Sequence, residues 1–134
     1  MQKLPILVII YGMRDKTILK PILWIASSLK DLKEMPEDVK KEFGHALRDI
    51  QKGRDPGNIK PLRHLAGILE IVVDDRQGTF GTIYTVQLKE VIAVLHVFQK
   101  KGKEGISTPK KEIDLALRRL QQAQIDYQKW KEEK

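Results

Sequence analysis

The order of hydrophobic periods along the chain predicts an α+β fold: a small antiparallel sheet with two N-terminal helices packed on one face and a further helix at the C-terminus. Two observations carry this. A helical apolar stripe precedes Gly53, and three short β-branched segments follow one another between Ile68 and Phe98 before helical spacing returns. At 134 residues with 41% hydrophobic content, the chain is sized for one core. Its 25 Lys+Arg against 18 Asp+Glu give a net charge of +7, a mixed balance that fits a folded basic domain better than a disordered one.

Lys20 to Ile25 (KPILWI) reads as a first strand, with Pro21 near its start, where a missing amide proton suits a sheet edge. Ser28 and Asp31 resemble a capping box that opens a short helix through Leu29, Leu32 and Met35, and Pro36 ends it. Pro36 also starts the next helix, where Val39, Phe43, Ala46, Leu47 and Ile50 form one apolar stripe. Gly53 to Asn58 (GRDPGN) concentrates turn formers, and Lys60 to Gly67 (KPLRHLAG) reads as a basic loop without periodicity.

Ile68 to Val73, Thr79 to Val86 and Val91 to Phe98 then read as strands of an antiparallel meander, because short polar or glycine-containing turns join them. After the polar loop Lys100 to Ser107, Thr108 as N-cap and Pro109 at the first helical position open a last helix. Ile113, Ala116, Leu117, Leu120, Ala123, Tyr127 and Trp130 keep one face of it apolar; its more polar tail is expected to prefer a partner.

The apolar stretch Leu4 to Tyr11 is about eight residues long where a membrane helix needs roughly twenty, so no membrane association is expected. Arg14, Asp15 and Lys16 follow it without a small-residue cleavage site, which disfavours a secretory signal. Residues 1–19 are read as an N-terminal extension, either an extra strand or an appendage of an upstream start, since Met13 also offers one. Residues 20–134 are read as the domain proper.

Cysteine is absent, which excludes disulfides, thiolate metal ligation and cysteine nucleophiles, and the three scattered histidines offer no metal-ligand spacing. There is no P-loop, dinucleotide fingerprint, H-E-x-x-H or G-x-S-x-G; neither a metal nor a cofactor is expected. What stands out is the cluster Lys100, Lys101, Lys103, Lys110 and Lys111, a local positive potential suited to phosphates, although lysines at a strand end also serve as a solvated edge. Tyr84 and Phe98 are able to stack bases, but strand aromatics are more often core. His96 alternates with Val94 and Phe98 and reads as a satisfied core histidine, His45 as exposed, and His64, beside Arg63, as open to an acid–base or phosphate role. Glu70 points away from Leu69 and Ile71 and is expected to pair with a nearby Lys or Arg.

The segments LKPILWIASSLKDLKEMPEDVKKEFGHAL, IKPLRHLAGILEIVVD, TIYTV and VLHVFQKKGKEGISTPKKEIDLALRRL resemble the RelE/HigB-type toxins of type II toxin–antitoxin systems, in the phage-derived HigB-like branch of the RelE/ParE superfamily. The resemblance runs from Lys20 to Ala123, and nothing before Arg14 shares it. It implies a concave RNA-binding surface on the sheet face opposite the two N-terminal helices. It also implies a metal-independent endoribonuclease, an mRNA interferase acting at the ribosome in the cytoplasm. The partners implied are mRNA, the ribosome and a cognate antitoxin of helix-turn-helix type, with operator DNA reached only through that antitoxin. An acidic antitoxin segment suits the basic surface.

Carried across residue by residue, the resemblance makes Lys100, Lys101 and Tyr84 the catalytic candidates, with Lys103 close by. The strand motif Tyr-Arg-x-x-Tyr reads here Phe80, Gly81, Thr82, Ile83, Tyr84, so the arginine position is Gly81. A lysine elsewhere does not simply replace a bidentate guanidinium; Arg76 and Arg63 are the candidate substitutes, and with His64, Lys103 and Lys110 they complete the expected RNA-binding set. The departure leaves two alternatives beside the ribonuclease: a ParE-like toxin that inhibits gyrase by binding, and an attenuated toxin that only binds its antitoxin.

Overall fold

The computed structural model describes residues 19–100 and 107–134. Lys101, Lys103 and the apolar stretch near the N-terminus lie outside the described residues. Five strands, β1 (Ile22–Trp24), β2 (Ile59–Pro61), β3 (Ile68–Asp75), β4 (Gly78–Thr85) and β5 (Ile92–Lys100), form one sheet in the order β1-β5-β4-β3-β2. Three helices accompany them: α1 (Ser28–Lys33), α2 (Glu37–Gln51) and α3 (Lys110–Glu132).

The expected meander is present as β3–β4–β5, each pair antiparallel. The β3–β4 connection is a tight turn closed by the pair Asp75 and Gly78, and Gly78 supplies the φ of 135° that an L side chain rarely adopts. The sheet as a whole is mixed, which corrects the antiparallel expectation: β1 lies parallel to β5, Ile22 opposite Ile92. No hairpin joins these two strands, so the long intervening chain frees their relative direction. The second correction is β2, assigned above to a loop. Three residues are too few for alternation to show in sequence, and Pro61 is tolerated because β2 is an edge strand.

Side-chain alternation splits the core into two. Val39, Phe43, Ala46 and Leu47 of α2 cover one sheet face, against Ile71, Val73, Phe80, Tyr84, Ile92 and Val94. Ala116, Ala123, Tyr127 and Trp130 of α3 cover the other, against Ile68, Ile83, Ala93, Leu95 and Phe98. The α3 tail therefore packs on its own sheet instead of awaiting a partner, with the Tyr127 and Trp130 rings stacked 6.0 Å apart. Three layers result, and α3 occupies much of the face on which an open RNA-binding surface was expected.

Two caps also differ from expectation. Ser27 precedes α1, its hydroxyl donating to Asp31 Oδ2 at 2.8 Å, while Ser28 is buried. Pro109 precedes α3, and the Thr108 hydroxyl serves a buried carboxylate instead of capping. An orphaned helix amide near solvent costs less than an orphaned buried charge.

A β-bulge aims part of β5 at α3. Ile83 pairs with His96 and Tyr84 with Val94, leaving Leu95 as the extra residue, so both Leu95 and His96 meet α3. Arg119 fastens the same place: its guanidinium donates to Leu95 O at 3.0 Å and to Ser27 Oγ at 3.3 Å. Arg119→Ala is expected to cost about 2 kcal/mol, the usual range for hydrogen bonds from a charged donor. Urea unfolding measures the loss, and hydrogen exchange will place it in α3; unchanged exchange there would refute the fastening role.

Candidate functional site

On the α3 face, register places chemistry-bearing residues in adjacent rows. Lys60, Glu70, Ile83 and His96 stand in line across β2, β3, β4 and β5; Val72, Gly81 and Phe98 form the next row; Asp74, Thr79 and Lys100 form the third. Glu70 is fully buried and leans over Gly81 toward Lys100, whose Nζ lies 3.2 Å from Glu70 Oε2. The Lys60 ammonium lies 3.7 Å from Glu70 Oε1, and the Thr108 hydroxyl donates to that same oxygen. One carboxylate thus joins β2, β3, β5 and the start of α3.

Gly81 is required by this arrangement. A Cβ there would overlap Glu70 Oε2 and come within 2.9 Å of Phe98 Cζ. The position where the resemblance expects an arginine is filled by the Glu70 carboxylate, so glycine and buried glutamate are one coupled choice. Neither Arg76 nor Arg63 lies in the register row of Gly81. Arg76 is exposed in the β3–β4 turn, and Arg63 and His64 are exposed in the β2–β3 loop at the opposite end of β3.

Lys100 carries the electrostatic cost of the site. Burial pushes its pKa below the ordinary lysine value, while the Glu70 charge opposes that fall and the neighbouring Lys60 adds to it. Of the other candidates, Lys110 opens α3 as an exposed residue paired with Asp114 at 2.9 Å. His96 is buried as expected and satisfied: Nε2 lies 2.7 Å from Glu112 Oε1, and its ring stacks on Phe98 at 4.9 Å. The Arg119 guanidinium lies 3.5 Å from the other ring nitrogen, Nδ1. Among the described residues no group of three or more His, Asp or Glu side chains is placed to hold a metal ion.

The structure separates Tyr84 from this cluster. It lies on the opposite face beneath α2, 2% exposed. That position corrects its grouping with Lys100: alternation within β4 sends residues 80, 82 and 84 to one face and 81 and 83 to the other. Burial raises the Tyr84 pKa to about 12 from 10.0. Between those values the folded chain keeps a proton that the unfolded chain has lost, so this contribution is intact below pH 10 and disappears as pH rises through 12. The loss is about 3 kcal/mol. Urea unfolding from pH 9 to 12 is expected to show it in the native chain but not in Tyr84→Phe; equal slopes would refute it.

Sequence reasoning missed Lys60, which it had placed in a loop; a pairing signal for a three-residue strand was not there to find. It did orient Glu70 correctly and expected its partner to be a lysine or arginine.

The sequence profile of the phage derived protein Gp49-like family (DUF891) matches residues 30–121, a span that contains Lys60, Glu70, Gly81, His96, Lys100 and Thr108. The chain belongs to the Gp49-like family. That family is associated with the toxins of toxin–antitoxin systems, which work against an antitoxin partner. No curated protein matches the chain. In this Gp49-like chain no helix among the described residues is long and apolar enough to cross a membrane.

Proposed function

We propose that this chain is a toxin of RelE/HigB type that stops translation in the cytoplasm by cleaving mRNA at the ribosome, without a metal, until a cognate helix-turn-helix antitoxin neutralises it. Residues 20–134 are the toxin domain and residues 1–19 an extension, and operator DNA is reached only through the antitoxin. The observation that carries this reading is the convergence of two lysines on one buried carboxylate, to which the chain adds exposed cations at Arg76 in the β3–β4 turn and at Lys110, paired with Asp114, at the start of α3. Such a charge arrangement suits a polyanion.

In the reaction the ribose 2′-hydroxyl gives its proton to water and its oxygen bonds to phosphorus. The bond from phosphorus to the 5′ oxygen breaks, and that oxygen takes a proton from water, leaving a 2′,3′-cyclic phosphate and a 5′-hydroxyl. The chain supplies cations that hold the phosphates and offset the charge of the pentacovalent phosphorus. In sequence, Lys101 and Lys103 add two further cations between β5 and α3.

A second reading, gyrase inhibition by binding alone in the ParE manner, is favoured by α3 lying over β5 and by Tyr84 lying beneath α2. An attenuated toxin that only binds its antitoxin would share those features. Inducible expression of the chain with and without Arg76→Ala/Lys110→Ala separates them, both residues being exposed. Growth arrest with new mRNA 5′ ends, weakened in the double variant, is the expected result. Arrest with intact mRNA and lost supercoiling identifies the gyrase reading; unhindered growth with folded protein identifies the attenuated one.

A further inference from the structure

We infer that the first half of α3, residues 110–121, is a strap that opens from the sheet on its own while the second half stays docked. The inference goes beyond the toxin reading and does not depend on what the chain acts on.

The two halves are held by different forces. Of the apolar residues in the first half, Ile113, Leu115, Ala116, Leu117 and Leu120, only Ala116 is buried, and it is the smallest. The ties that fasten this half are polar. The Thr108 hydroxyl just ahead of it donates to Glu70, Glu112 meets His96 Nε2 at 2.7 Å, and the Arg119 guanidinium donates to Leu95 O and to Ser27 Oγ. Water replaces each of these contacts when the helix lifts, so the net worth of each is a fraction of its strength in isolation. The second half buries Ala123, Tyr127 and Trp130, and two aromatic rings remove far more apolar surface from water. Lys131 and Lys134 close over those rings, 5.2 and 4.7 Å from the ring centres, and Lys134 also reaches Glu90 at 3.2 Å.

The two helix ends differ in the same sense. Thr108 is engaged with Glu70 and Pro109 offers no side-chain oxygen, so no side chain caps the first amides. Lys110 and Lys111 stand at the positive end of the helix dipole, with Glu112 the one acid of the first turn, whereas Lys129 and Lys131 stand at the negative end, where cations are favoured. No proline or glycine between residues 110 and 132 fixes a hinge, so the boundary falls where deep burial resumes, at Ala123. Opening takes Glu112 off His96 and loosens Thr108 from Glu70. A partner that takes either that side of the sheet or the freed helix shifts the population toward the open state.

The test is amide hydrogen exchange by NMR on the full chain at neutral pH and low urea, with Glu112→Ala in parallel. In the native chain the helical amides of residues 114–121 are expected to be protected about 100-fold less than those of residues 126–131, and with a weaker dependence on urea, as a local opening requires. Glu112→Ala is expected to speed exchange at residues 114–121 about 10-fold, the loss of one hydrogen bond to a charged group, and to leave residues 126–131 unchanged. A single degree of protection and a single urea slope along the whole helix would overturn the inference, and so would equal acceleration of both halves in Glu112→Ala. Where the variant does not fold, the comparison of the two halves within the native chain decides.

Discussion

Glu70→Ala is expected to destabilise the fold by about 3–5 kcal/mol at neutral pH, the cost of removing one partner from a buried ion pair. The loss arises less from the missing attraction than from what stays behind. The Lys100 side chain is 4% exposed, and without Glu70 its ammonium loses the carboxylate 3.2 Å away while the like charge of Lys60 stays. Thr108 loses its acceptor at the same time, which loosens the start of α3. Glu70→Gln keeps the shape and returns an acceptor to Thr108, so it should be milder than Ala while still removing the carboxylate charge beside Lys100.

The pH dependence gives a sharper check. Burial already lowers the Lys100 pKa in the folded chain, and Glu70 is what opposes the fall. Between the lowered folded value and the ordinary lysine value, the unfolded chain binds more protons, so stability rises with pH. Removing Glu70 widens that window downward. Urea midpoints for Glu70→Ala should therefore recover toward those of the native chain between pH 7 and 10; a constant deficit across that range would show that the Lys100 charge is not the source of the loss.

The second large effect is expected at Gly81. Placing a side chain there, as Ala or as the arginine that the RelE-type resemblance expects, should cost about 3 kcal/mol by overpacking. The new Cβ meets a buried carboxylate on one side and the Phe98 ring on the other, and that ring is itself stacked on His96. Arginine is expected to be worse than alanine, since its guanidinium has no open path past Glu70. In a Glu70→Ala background the cost of Gly81→Ala should shrink by 1 kcal/mol or more, a coupling of the size found for residues in contact. Simple additivity in urea unfolding would mean that the two positions do not share the space.

Much of this was legible in the linear chain. The α2 stripe from Val39 to Ile50 and the β3–β4–β5 meander are local patterns, repeated over enough residues for their periods to show, and both are found. The side of the sheet taken by Glu70 follows from strand alternation alone. Charge and the absence of cysteine limited the chemistry, and the motifs around Phe98 to Lys111 pointed to the toxin–antitoxin association that the Gp49-like match supports.

Pairing between distant segments was decided only in three dimensions. β2 is too short to show a period, and its lysine becomes part of a site only because Lys60 falls opposite Glu70. Tyr84 and Lys100 belong to neighbouring strands, yet the pleat sends them to opposite faces. The parallel direction of β1 and the docking of α3 over β5 depend on which surfaces remain to be covered once the meander and α2 have packed. Gly81 states the division most plainly: the RelE-type resemblance leads to an arginine expected at that position, and only packing shows that a buried carboxylate fills the space. Local periods are set by side-chain order, but complementarity across the sheet is set by register and volume, which no single segment contains.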